Sequence, residues 1–186
     1  MKPILLDFST EFTTERLLIR SPKPGDGKAV YDAIEAALEE LKPWMPFAHF
    51  SQTEQDVEAN IREAHVKFLT REDLRLLVFL GETGELIASS GLHRINWEVP
   101  KMEIGYWVDT RHSGKGYVTE AVKGITEFAF KELKARRLEI RCDAKNVKSR
   151  SVAERAGFTL DGILKNEAMS IEGNELRDTC IFSKTV

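Results

Sequence analysis

Arg111-His-Ser-Gly-Lys-Gly-Tyr117 decides how this chain is read. It follows a strand-like run, Met102-Glu-Ile-Gly-Tyr-Trp-Val108, and leads into a strongly helical stretch from Thr119 to Leu133. A strand, a glycine-bearing loop and a helix start in that order form an anion cradle. Glycine lets backbone N–H groups approach an anion closely, and the unpaired amides and dipole of a helix N-terminus favour negative charge. Pyrophosphate is the anion to expect.

Outward from the loop, the periodicity changes from segment to segment. Arg16-Leu-Leu-Ile-Arg20 reads as a strand, and Val30, Ile34, Ala37, Leu38 and Leu41 fall at helical spacing. Pro43-Trp44-Met45-Pro46 ends that helix, and Val57, Ile61, Ala64 and Phe68 mark a second one. Leu74 to Leu80 and Leu86 to Ile95 form a hairpin around Glu82-Thr-Gly-Glu85. Beyond the loop, Ala121, Val122, Ile125, Phe128, Ala129 and Leu133 share one helix face. Leu138 to Cys142 is a short strand, and Asn146 to Ala156 a helix ended by Gly157. Phe158 to Leu164, Ala168 to Ile171 and Leu176 to Ser183 suggest a closing hairpin. The expected architecture is α/β or α+β: one domain over residues 1–186, a mixed sheet with helices on both faces.

Composition narrows the function. At 186 residues the chain is long enough for a substantial core, with 42% hydrophobic and 31% charged residues. A formal charge of −3 argues against nucleic acid as the main ligand and leaves room for a cationic acceptor such as an amine. Cys142 and Cys180 each sit in a strand-like run and read as two buried free thiols in a reducing cytoplasm, with a bridge between them as the alternative. No apolar leader and no stretch of about 20 apolar residues is present, so a cytoplasmic protein away from membranes is expected.

Three phosphate-binding patterns compete for the loop. A P-loop fails, because Asp109 stands at its first glycine and Gly116 at its Ser/Thr. A dinucleotide fingerprint is weak, because Thr119 stands at its third glycine. Arg111, Gly114 and Gly116 satisfy [R/Q]-x-x-G-x-[G/A], which resembles the coenzyme A loop of the GCN5-related N-acetyltransferase (GNAT) superfamily; a plain glycine turn is the alternative. Asn146-x-x-Ser149 followed by Gly157-Phe158 resembles that superfamily's next segment. Thr14-Glu-Arg-Leu-Leu-Ile-Arg20, Lys42-Pro-Trp-Met-Pro46, Glu103 to Val108 and Glu120-Ala-Val122 resemble its RimJ/RimL-like, ribosomal-protein branch.

The resemblance implies a mostly antiparallel sheet in which two adjacent parallel strands, here Met102–Val108 and Leu138–Asp143, splay into a V that takes acetyl-CoA. Backbone N–H groups from His112 to Tyr117, through Ser113, Gly114, Lys115 and Gly116, would bind the pyrophosphate. Arg111 and Lys115 would add charge or simply be solvated. Freed backbone at Trp107 and Val108 would pair with pantetheine, and the Val108 N–H would polarise the thioester carbonyl, a contribution of about 3–4 kcal/mol. Glu103 matches the position of a catalytic glutamate in histone-type relatives and would act as base through water; pairing with Arg94 or Lys101 is its bland alternative. The tyrosine that many relatives place seven residues after the motif asparagine is here Ala153. Ser149 would stand in by hydrogen-bonding the leaving thiolate, or else cap its helix. Asn146 would bridge strand and pantetheine, or be an N-cap.

For the acceptor, Trp44, Met45 and Phe47 are pocket candidates against ordinary core packing, and His93 could assist proton removal. The histidines show no metal-ligand pattern, so no metal is implied. The resulting expectation is an acetyl-CoA-dependent N-acetyltransferase acting on a protein N-terminus, with room for a homodimer. A small-molecule amine acetyltransferase and a non-catalytic acyl-CoA-binding module are the alternatives.

Overall fold

The computed structural model describes residues 2–186. Eight strands form one sheet: β1 (Glu11–Thr13), β2 (Leu17–Arg20), β3 (Leu74–Leu80), β4 (Leu86–Asn96), β5 (Lys101–Val108), β6 (Arg137–Asp143), β7 (Thr159–Met169) and β8 (Leu176–Thr185), in the order β1-β2-β3-β4-β5-β6-β8-β7. All neighbours are antiparallel except β5 and β6. The helices α1 (Gly27–Leu41) and α2 (Glu54–Thr70) cover one face, and α3 (Tyr117–Lys131) and α4 (Val147–Arg155) cover the other.

Strand β3 is apolar almost throughout because both faces are covered. Leu77 and Phe79 join Val30, Ile34, Ile61 and Trp107 under α1 and α2. Leu76 and Val78 join Ile104, Val122, Ile125 and Phe128 under α3.

Local chemistry sets the helix ends. Thr53 and Asp56 form a reciprocal capping box at the start of α2. The Asp26 side chain makes no cap bond to α1; its carboxylate instead holds Arg20 and the Lys23 N–H. Glu58 of α2 accepts the Gly25 and Gly27 N–H groups at 2.8 and 2.9 Å. This ties α1 to α2, and a side chain at Gly27 would collide with Glu58.

The expected elements are present, with three differences. Strand β1 has only three residues and no buried position, too little to register as a pattern. Helix α3 starts at Tyr117, two residues earlier than expected, because Gly116 serves as its N-cap with φ 81°. The two short segments expected after Phe158 are one strand, β7, with a register shift between Leu164 and Ala168. Asn166 has φ 53° there, and Asp178 accepts its N–H at 3.0 Å, so a polar bulge looks like a strand break in sequence.

Candidate active site

Strands β5 and β6 pair only at Lys101↔Arg137, Met102↔Leu138 and Glu103↔Glu139. Both then continue, to Val108 and Asp143, without pairing to each other. A cleft of ≈ 1070 Å³ opens in this splay, walled by β5, β6, the 110–119 segment and α4. The Asp109 N–H donates to Ile87 O of β4 at 2.9 Å. Successive peptide groups of a strand alternate in direction, so the Val108 and Tyr106 amides point to the β6 side, into the splay. Trp107 points its amide toward β4 and buries its ring in the α1/α2 core, 9% exposed. The freed backbone is therefore that of Tyr106 and Val108, which corrects the expectation for Trp107.

The loop after β5 is a cradle, displaced toward the helix relative to the expectation. Residues Thr110–His112 form a 3-10 turn in which the Arg111, His112 and Ser113 amides are already bonded, to Asp109 Oδ1, Asp109 O and Thr110 O. The amides of residues 114–119 have no acceptor among the described residues. Gly114 and Gly116 both have positive φ, 77° and 81°, which aims these donors outward. Together with the α3 N-terminus they suit a diphosphate. His112 and Ser113 line the cleft through other atoms, and the His112 Nδ1 is buried without a partner.

Arg111 does not line the cleft. Its guanidinium is bound to fully buried Asp109, whose Oδ1 lies 3.0 Å from Arg111 Nε. Burial opposes ionisation of Asp109, yet the Arg111 side chain and backbone N–H hold its carboxyl below the usual range. Lys115 is exposed and outside the cleft wall, with its carbonyl accepting from Arg16 Nη1 at 3.2 Å. The cations that do reach the wall from α4 are Lys148 and Arg155, which sequence reasoning missed.

Arg16 was also missed as a supporting residue. Glu120, in the first turn of α3, accepts from Thr14 Oγ1 at 2.6 Å, the Arg16 N–H at 2.8 Å and Arg16 Nε at 2.6 Å. Burial pushes the Glu120 carboxyl up, but these bonds outweigh it and hold it below its ordinary value. The Arg16 guanidinium lies 4.5 Å from the Tyr117 ring centroid. The β1–β2 connection thus staples the cradle in place, which gives the Thr14-Glu-Arg stretch a physical purpose.

At the centre of the splay, Ser149 of α4, Tyr106 of β5 and Cys142 of β6 converge on the cleft. The Tyr106 hydroxyl donates to Ser149 O at 2.9 Å and lies 3.1 Å from Ser149 Oγ. Burial raises the Tyr106 phenol, with the Ser149 contact opposing it. Burial likewise pushes the Cys142 thiol to about 11. Asn146 Oδ1 accepts the Ser149 N–H at 3.0 Å, so Asn146 is the N-cap of α4 while lining the cleft.

The far end of the cleft is bounded by Trp44, Met45, Arg141, Asp143, residues 168–171 and Arg177. Arg177 lies 5.9 Å from the Trp44 ring centroid and donates to Asp143 at 3.2 Å. Three sequence candidates are elsewhere. Phe47 packs on the buried Trp107 ring, centroids 6.2 Å apart. His93 bonds Asp73 at 2.7 Å, its ring lying across Gly91 and Gly105. Glu103 sits where β5 and β6 are still paired, 3.3 Å from Arg94, and does not line the cleft. The observed partner is Arg94, the plain pairing that the sequence left as the alternative to a base.

The acetyltransferase (GNAT) domain family matches residues 16–159. The chain belongs to the GNAT acetyltransferase family. YdaF of Bacillus subtilis strain 168, named as a candidate ribosomal N-acetyltransferase, is 31% identical over 151 residues, covering 80% of each chain. The ribosomal-protein-serine acetyltransferase of Escherichia coli K12 is 28% identical over 152 residues, 82% of this chain and 84% of that one. In three dimensions the chain matches the ribosomal L7/L12 α-N-protein acetyltransferase RimL in complex with coenzyme A, with a TM-score of 0.86, 18% identity and coverage of 93% and 96%. The ribosomal-protein branch read from the motifs is matched by the names of the relatives, and RimL shares the fold; as a GNAT acetyltransferase the chain is an acyltransferase with acetyl-CoA as cosubstrate. The unpaired 114–119 amides and the splayed β5 edge fit that cosubstrate's diphosphate and pantetheine.

Proposed function

We propose that the chain acetylates the α-amine of a protein N-terminus, of the ribosomal-protein type, by direct transfer within a ternary complex. The reading is carried by the two-ended cleft: main-chain donors at one end, an acceptor mouth at the other, and the splay between them. The 114–119 amides hold the diphosphate, Tyr106 and Val108 pair with pantetheine, and the Val108 N–H stabilises negative charge on the thioester oxygen. Ser149 hydrogen-bonds the departing sulfur; a serine hydroxyl is far too weak an acid to give up its proton outright.

The acceptor class follows from the proton. Freeing an α-amine at pH 7 costs about 1.4 kcal/mol and a lysine about 4.6 kcal/mol. Asp143, the carboxylate facing the mouth from β6, is held by Arg177 and the Lys145 N–H, and Glu40 is exposed on the rim. With no dedicated base on that wall, water takes the proton, which suits an α-amine. The names of the relatives support the same acceptor, and with it the reading of a cytoplasmic enzyme.

Mass spectrometry of peptides incubated with acetyl-CoA tests this. Peptides with free N-terminal serine or alanine should gain one acetyl group at the α-amine. Acetylation only of lysine side chains, or only of polyamines, would refute it.

A further inference from the structure

The family resemblance implies a tyrosine in many relatives where this chain has Ala153, and the proposed hydroxyl at the sulfur is here that of Ser149 on α4. Tyr106 supports it from β5 across the splay. We infer that Tyr106 is the positioning residue for Ser149, fixing its hydroxyl toward the splay and reinforcing it as a donor when the thiolate forms. The inference rests on the proposed role of Ser149.

The phenol's single proton orders the contact, with the Cys142 thiol as a further neighbour of the Ser149 hydroxyl. A phenol has one proton, and Tyr106 donates it to Ser149 O at 2.9 Å. The 3.1 Å contact between the two hydroxyl oxygens then has Ser149 as donor and the phenol oxygen as acceptor. When negative charge builds on the departing sulfur, the Ser149 proton turns to it. The Ser149 oxygen, now more electron-rich, becomes an acceptor for Tyr106. Only hydrogen bonds exchange; no proton changes owner. Burial keeps the phenol protonated, so it remains a donor throughout. Such paired hydroxyls polarise one another more strongly in a low-dielectric cleft than in water.

Geometry makes the arrangement specific to the splay. Tyr106 lies three residues past Glu103, the last residue of β5 paired with β6, and Ser149 lies in the first turn of α4. The contact therefore bridges the gap and registers α4 against β5. Cys142 and Arg155 are the titratable neighbours of the phenol, and the Cys142 thiol is held protonated by burial.

The test is titration of coenzyme A carrying 13C beside its sulfur, bound to wild type, Tyr106→Phe, Ser149→Ala and the double variant, followed by NMR. The label separates the ligand thiol from Cys142 and needs no acceptor. The bound thiol should titrate about one unit higher in Tyr106→Phe, and the double variant should match Ser149→Ala alone. Turnover with an N-terminal-serine peptide should fall about tenfold in kcat, with KM for acetyl-CoA changed less than twofold. A thiol unmoved by Tyr106→Phe but raised by Ser149→Ala overturns the inference and leaves the role of Ser149 standing. A thiol unmoved by Ser149→Ala removes that role, and the inference with it. Additive shifts would assign Tyr106 to anchoring α4 alone and also overturn it.

Discussion

The two ends of the cleft are built from different materials. The proposed cosubstrate end is main chain: amides 114–119, two left-handed glycines and the unpaired edge of β5. The proposed acceptor end is side chain: Trp44, Met45, Arg141, Asp143 and Arg177, with Arg177 set against Trp44 and Asp143 from strands and loops far apart in sequence. Backbone recognition depends on conformation, so only residues that permit the conformation are prescribed. Side-chain recognition depends on identities at dispersed positions, which are free to vary with the acceptor. Changes at one end should therefore move acetyl-CoA parameters, and changes at the other those of the amine.

Gly116→Val should give the largest effect. A β-branched residue at φ 81° strains the chain by about 2 kcal/mol, on the order of thirtyfold in KM for acetyl-CoA, with the amine KM little changed. An unchanged acetyl-CoA KM in steady-state kinetics would dissolve the division between the ends. Next is Glu120→Gln, which weakens the staple under the cradle. Because the Glu120 carboxyl titrates lower in the folded chain, its contribution is full above the unfolded value of 4.5 and is lost as pH falls through the lower folded value. The wild type should thus be more thermostable than the variant at pH 7, with the gap closing in acid; parallel melting curves would contradict this. Trp44→Ala, which removes a ring beside Arg177, should raise the amine KM about fivefold, corresponding to about 1 kcal/mol, and spare acetyl-CoA. Glu103→Gln should change kcat less than twofold, as expected for a paired carboxylate away from the cleft. A tenfold fall in kcat would restore it as the base.

The same division explains what the sequence revealed. Glycine spacing, capping residues and apolar periodicity are local, so the cradle, α2 and the β3–β4 hairpin could be read directly. Arg111 was misleading because a cation near a phosphate loop and a cation folded back on Asp109 look identical as letters; only the 3-10 turn separates them. Tyr106 and Ser149 are 43 residues apart, and Arg16 and Glu120 are 104 apart. No periodicity links them. His93 and Glu103 face each other across β4 and β5, a register that carries both away from the cleft.

The short β5–β6 ladder has a thermodynamic corollary. The amides of Tyr106 and Val108 find no strand to bond within the chain, so a pantetheine arm laid along them extends the sheet and is stabilising in the manner of an added strand. Ligand occupancy should then be legible as heat resistance: coenzyme at one hundred times its Kd adds about 2.7 kcal/mol to the folded state. Shortened analogues lacking the pantetheine amides should forfeit most of that protection even when they keep the diphosphate.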